Sequence, residues 1–148
     1  MPVAPERSFA SDNAAGIHPI VLRAIVEANE GHALAYGQDD HTVRCENAFC
    51  ELFDTDVITR LTFNGTGANV VALANMLGSL QGPHHAVVCT DWAHIAVDET
   101  GAPERTLGTK LIEIPSPGAK LTPELLQTVA HLQGVQHHAQ PGIVSITQ

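Results

Sequence analysis

Positive charge is scarce in this chain. Two lysines (Lys110, Lys120) and five arginines stand against 16 acidic side chains, for a formal net charge of −9 over 148 residues. No basic stripe is present to follow a phosphodiester backbone, so nucleic-acid binding is not expected. Long apolar runs are also missing. The longest are interrupted at Arg23 or Asn75, far short of the ~20 residues a membrane span needs. The opening Met1-Pro2-Val3-Ala4-Pro5-Glu6-Arg7 has neither a basic start nor an apolar core, so it does not read as a secretory signal. The three cysteines, Cys45, Cys50 and Cys89, include no Cys-x-x-Cys pair. Cys45 and Cys50 point to different faces of an expected helix, and an odd count without a framework suits a reducing compartment, so a cytoplasmic location is expected. What remains is ordinary globular composition, 44% hydrophobic with a mean hydropathy of +0.05, at a length that suits one domain.

Periodicity orders the chain. Pro19 opens a helix over Ile20 to Ala28, closed by Gly31, and His32 to Gln38 reads as a loop. Asp40 is placed to cap a second helix whose apolar face is Val43, Ala48, Phe49, Leu52 and Phe53. Val57 to Phe63 is β-branched and apolar and predicts a strand. Ala68 to Leu80 then has helical spacing and stops near Gly82-Pro83. Ala86-Val87-Val88-Cys89 is the continuous apolar run of a buried parallel strand. A loop and short helix over Ile95 to Arg105 precede a strand at Thr109 to Ile114. A helix follows over Leu121 to Gln133, opened by Thr122-Pro123-Glu124, and then a strand over Gly142 to Thr147. From residue 57 the order is β-α-β-α-β-α-β, which implies an α/β fold, a mostly parallel sheet with covering helices. The expected division is an N-terminal segment with two helices, residues 1–56, and an α/β part, residues 57–148. The chain stops on or just after a strand, so it is expected to be incomplete there. Ligands in such sheets gather at the carboxyl ends of the strands.

Asn64-Gly65-Thr66-Gly67 joins the expected strand to its helix. Free N–H groups at a helix N-terminus, with the Thr66 hydroxyl beside them, can hold an anion such as phosphate. The same residues also serve as a plain tight turn capped by Thr66. No Gly-Lys-Ser/Thr follows, and the third glycine of a dinucleotide fingerprint is absent. Nine histidines raise the question of a metal. His84-His85 and His137-His138 are adjacent pairs, which rarely converge on one ion. His94 and Asp98 lack a third ligand at motif spacing, so no metal site is expected. His94, in Asp91-Trp92-Ala93-His94 after the Ala86–Cys89 strand, can stack on a flat ligand or move protons near neutral pH, or it can be a loop residue bonded to the backbone. Glu99 can orient a water or a histidine, or can be a solvated surface carboxylate. No Ser/His/Asp or Cys/His nucleophile arrangement and no Gly-x-Ser-x-Gly occurs.

Taken in order, several segments resemble the threonine aldolase family, within the aromatic amino acid β-eliminating lyases and near phenylserine aldolases. They are Phe9-Ala10-Ser11-Asp12-Asn13, Tyr36-Gly37-Gln38-Asp39, Asn64-Gly65-Thr66, Ala93-His94-Ile95, Asp98-Glu99-Thr100-Gly101-Ala102-Pro103-Glu104, and Gln140-Pro141 with Val144-Ser145-Ile146-Thr147-Gln148. The resemblance implies part of the large domain of a fold-type I enzyme, with pyridoxal 5'-phosphate as cofactor. It implies cleavage of a β-hydroxy-α-amino acid of the threonine or phenylserine type to glycine and an aldehyde. Residue by residue, it makes Gly65 and Thr66 phosphate contacts, with Asn64 departing from the usual small serine or threonine. His94 becomes the histidine stacked on the cofactor ring, Glu99 an acidic residue beside it, and His137 a second histidine near the substrate hydroxyl. His94, His137 and Glu99 are thus the catalytic candidates, and Ser11 and Tyr36 the substrate-binding ones. The lysine that holds the cofactor covalently is implied to lie beyond residue 148, so the chain alone is expected to be inactive. The implied partners are a small amino acid substrate, further copies in a dimer or tetramer, and a C-terminal fragment of the same protein. The alternative is a non-catalytic piece retaining an anion-binding turn or an oligomer surface.

Overall fold

The computed structural model describes residues 11–80 and 84–147. Phe9, Ala10, the Gly82-Pro83 stop and Gln148 lie outside the described residues. The chain divides into two compact units, Met1–Thr59 and Arg60–Gln148.

The first unit carries α1 (Pro19–Ala28) and α2 (Asp40–Phe53). Pro19 occupies the first helical turn as expected, and His18 Nδ1 accepts the Ile20 N–H at 3.3 Å. The helix ends at Ala28, with the Asn29 N–H closing on Ile25 and Val26 carbonyls, two residues before Gly31. In α2 the cap is Asp39, one residue earlier than the expected Asp40. Its Oδ1 accepts the Thr42 N–H at 2.9 Å and its Oδ2 the Thr42 hydroxyl at 2.8 Å. Both bonds favour the charged carboxylate, and they hold the Asp39 carboxyl below its usual range. Cys45 and Cys50 are both free. Neither helix buries a residue.

The expected strand over Val57–Phe63 does not form. Most of its side chains stand in solvent, with Ile58, Leu61 and Phe63 at 80%, 70% and 101% exposure. β-Branched residues favour extended backbone, but a strand also needs a neighbour to complete its hydrogen bonds. The sheet of the second unit has three strands in the order β2-β1-β3, and this segment joins none of them.

That unit begins with α3 (Gly65–Ser79), three residues earlier than the helical spacing indicated. Asn64, not Thr66, is the cap, its Oδ1 accepting the Gly67 N–H at 2.8 Å. Gly65, Thr66 and Gly67 can form a first turn because its N–H groups need no intrahelical partner. Then follow β1 (His85–Thr90), α4 (His94–Val97), α5 (Ala102–Leu107), β2 (Lys110–Ile114), α6 (Pro123–Gln127) and β3 (Gln140–Val144). Both β2 and β3 pair parallel to β1. The expected helix over Leu121–Gln133 is broken: α6 stops at Gln127 and a 3-10 turn takes over at Ala130–Leu132. The Thr128 hydroxyl bonds back to the Leu125 carbonyl at 2.6 Å, the local competition by which Ser and Thr disturb helices.

β1 is buried from Ala86 through Thr90. Val87 pairs with Leu111 on one side and Ile143 on the other, and Leu73 of α3 covers this layer together with Cys89, Ala93 and Ile95. Burial pushes the Cys89 thiol up to about 11, with Glu113, Glu104 and Asp91 adding repulsion against a thiolate. Each such apolar side chain contributes about 1.5–3 kcal/mol by leaving water. β3 starts at Gln140, two residues before the expected Gly142, and its register against β1 shifts between Ala86 and Val87. Gly142 is the extra residue there. A Cβ on it would lie 2.7 Å from Leu80 Cδ1, 2.9 Å from His85 Nδ1 and 3.2 Å from His85 Cβ, so the bulge requires glycine.

Candidate active site

The chain leaving β1 reaches α4 in four residues, which sets His94 just beyond the carboxyl end of the central strand. α4 is a single turn, closed when the Asp98 N–H bonds the His94 carbonyl at 2.9 Å. Thr100 (φ 50) and Gly101 (φ 71) then take left-handed backbone and turn the chain into α5. For a β-branched threonine that conformation is strained.

Glu99 is a buried carboxylate, not a solvated one. Its Oε1 lies 2.8 Å from His94 Nδ1 and 2.6 Å from Asn69 Nδ2. The Glu99 side chain has no exposure, whereas that of His94 is 57% exposed. The other oxygen, Oε2, is buried with no hydrogen-bond partner among the described residues. An ionised carboxylate only accepts, so both neighbours donate to it. With Glu99 ionised, Nδ1 is the ring nitrogen that donates, and Nε2 is left outside this bond.

Asn69 comes from α3, one helical turn after Gly65, so α3's first turns and His94 share one hydrogen-bonded cluster. The Gly65 and Thr66 N–H groups come before Ala68, whose N–H makes the first bond of the helix ladder, to the Asn64 carbonyl. A Cβ on Gly65 would meet nothing within 4 Å, whereas one on Gly67 would lie 3.2 Å from the Asn64 cap oxygen. The cap accounts for Gly67. Nothing in the chain's own packing calls for Gly65, whose surroundings are open.

Asn64 uses its side-chain oxygen on its own helix. His137 is exposed, three residues ahead of β3. Its loop is held by the buried Gln140 amide, which accepts the Gly134 N–H at 2.7 Å and reaches the Val135 and His138 carbonyls at 2.9 and 2.8 Å. His137 thus precedes the amino end of β3, while His94 follows the carboxyl end of the parallel β1, and the chain does not bring them together. Ser11 and Tyr36 belong to the first unit. The Ser11 Oγ accepts the Asn13 N–H at 3.2 Å. Tyr36 has φ 62 and a fully exposed side chain. Sequence reasoning gave Asn69 no role, although a carboxamide among Val70, Val71 and Leu73 is an available signal. Among the described residues no group of three or more His, Cys, Asp or Glu is arranged to hold a metal ion, and no helix is long and apolar enough to cross a membrane.

Comparison with known proteins adds to this geometry. Residues 8–148 match the family model for beta-eliminating lyases. The chain is 43% identical over 143 residues to a low specificity L-threonine aldolase from Pseudomonas sp. (strain NCIMB 10558), and 41% identical to one from Pseudomonas aeruginosa. Each match covers 96% of this chain and 40% of the relative, so the chain spans well under half the length of these relatives. A solved threonine aldolase of Leishmania major superposes with a TM-score of 0.80 at 30% identity, over 90% of this chain and 38% of that one. The parallel sheet with its covering helices is therefore the corresponding part of a fold-type I large domain. By sequence and by fold, the chain belongs to the beta-eliminating lyase family.

Proposed function

We propose that this chain is the part of a pyridoxal-phosphate aldolase that grips the cofactor phosphate and ring, in an enzyme that cleaves threonine- or phenylserine-type β-hydroxy-α-amino acids to glycine and an aldehyde. The observation that carries the reading is the exposed His94 ring, its Nδ1 held by buried Glu99 beside the N-terminal turns of α3. Gly65 and Thr66 fit a phosphate: their N–H groups are not used by the helix, and the space at Gly65 is open. His94 fits a flat ring, with more than half of its side chain exposed. Bound there, the cofactor supplies a conjugated system that takes up the electron pair released as the Cα–Cβ bond breaks.

The chain's own residues supply orientation and proton handling. Glu99 fixes the His94 ring by taking its Nδ1–H, which leaves Nε2 as the basic atom on the open side. Nε2 of His94 is then placed to accept the β-hydroxyl proton. His137, which stands away from this cluster within the chain, is the second candidate for that proton. Ser11 and Tyr36, from the first unit, are proposed to meet the substrate.

The test uses the full-length polypeptide supplied with pyridoxal phosphate and assayed for glycine and aldehyde from threonine and phenylserine. Equal amounts of both products are expected, with His94→Ala lowering kcat by roughly 100-fold or more. Cofactor-loaded protein that releases neither product overturns the reading.

A further inference from the structure

We infer that Asn69 is a positioning residue: its amide N–H, donated to Glu99 Oε1, sets the tautomer of His94 and locks that ring to the first turns of α3. The inference deepens the reading above and rests on it for the ligand that meets His94. The geometry behind it does not depend on that ligand.

Gly65 and Asn69 are four residues apart on α3 and so share a helix face. Helical side chains lean toward the N-terminus, which directs the Asn69 carboxamide back toward the turn at Gly65. It meets Glu99, 30 residues away in sequence, at 2.6 Å. Two donors, Asn69 Nδ2 and His94 Nδ1, then converge on a single oxygen, while Oε2 has no partner among the described residues. A buried carboxylate held at one oxygen can rotate about its last bond unless a second contact prevents it. Asn69 is that contact. Without it, Oε1 is free to leave His94, and the imidazole proton is free to settle on Nε2, the atom that has to stay basic. Because Asn69 stands on the helix whose N-terminus would hold the phosphate, any shift of that turn reaches the ring through one hydrogen-bonded path.

The experiment reads the His94 tautomer by 15N NMR in the full-length polypeptide without cofactor, then repeats the measurement in variants. The unsubstituted protein is expected to show the Nδ1–H form as the dominant species. Asn69→Leu keeps the approximate shape but removes the donor facing Glu99, and is expected to raise the share of the Nε2–H form. Asn69→Ser, too short to reach Glu99, is expected to give a mixture of the two tautomers. The double variant Asn69→Asp with Glu99→Gln restores complementarity, since the amide introduced at position 99 can donate to the carboxylate introduced at position 69 while its carbonyl accepts from His94. The Nδ1–H form is expected to return. In the loaded enzyme, Asn69→Ser is expected to lower kcat by roughly 10- to 100-fold with KM changed far less. A dominant Nε2–H form in the unsubstituted protein overturns the inference even if every variant fails to fold. An unchanged tautomer in a folded Asn69→Leu protein overturns it as well. Neither result bears on whether the enzyme is an aldolase, and loss of the aldolase reading leaves the tautomer experiment standing.

Discussion

The two units put their apolar side chains to different use. In the first, α1 carries Ile20, Val21, Leu22, Ile25 and Val26, each about half exposed or more, and neither of its helices buries a residue. In the second, five consecutive residues of β1 are buried, and Leu73, Val87, Cys89, Leu111 and Ile143 close over one another. Both units begin their main helices with the same device, a side-chain oxygen on the third N–H: Asp39 on Thr42 and Asn64 on Gly67. The capping is alike and the burial is not. Helix formation in the first unit therefore rests on local signals, and in the second on a core that α3 completes. The site proposed at His94 is built on the second kind of element.

The largest expected effect tests that contrast directly. Leu73→Ala removes the one buried residue of α3 and should destabilise the second unit by about 2–5 kcal/mol. Ile25→Ala on α1, whose side chain is 53% exposed, should cost about 0.5 kcal/mol or less. Denaturant midpoints of the two variants check the comparison. Equal losses would show that the apolar face of α1 is as covered in solution as that of α3.

A smaller effect is expected at the bulge. Gly142→Ala brings a methyl against Leu80 and His85, and the His85 Cβ at 3.2 Å has no freedom to retreat. The expected cost is about 1–3 kcal/mol. Gly65→Ala, facing open space, should leave stability nearly unchanged while weakening cofactor retention in the full-length protein. Thermal melting read beside cofactor binding separates the two glycines.

How far these features can be read from the residues follows from the range of the forces involved. β1 was legible because a strand buried on both faces is a continuous apolar run. α1 was legible because proline marks a first helical turn by its own geometry. The residues alone leave Glu99 open between orienting a water or a histidine and standing solvated, and its burial beside His94 at 2.8 Å excludes the solvated carboxylate. Residues 57–63 misled because β-propensity is local whereas strand pairing is supplied by another segment. The Gly142 bulge and the Asn69 contact were hidden for the same reason. Each is defined by a partner elsewhere in the chain, Leu80 and His85 in one case and Glu99 in the other. The break after α6 was readable in principle, from a β-branched Thr128-Val129 pair whose hydroxyl can reach back one turn.

The smallest effect concerns acid, and it bears on the capping that the two units share. Hydrogen bonds from the Thr42 N–H and hydroxyl hold the Asp39 carboxyl below its usual 3.8. A carboxyl whose folded value is depressed contributes stability above the unfolded value and loses it as pH falls through the folded one. α2 should therefore keep its start above about pH 5 and fray below the usual carboxylate range, as the cap becomes protonated. Amide exchange at Thr42, followed from pH 5 downward, reports this. Asp39→Asn is the control: asparagine caps as well but does not titrate, so the acid-dependent loss of protection, taken relative to the intrinsic exchange rate at each pH, should disappear. The cap on α3 is already an asparagine, and protection at Gly67 on the same scale should be insensitive to the acidification. If the two helix starts fray together on acidification, the titration of Asp39 is not what opens α2, and the local account of the first unit is wrong.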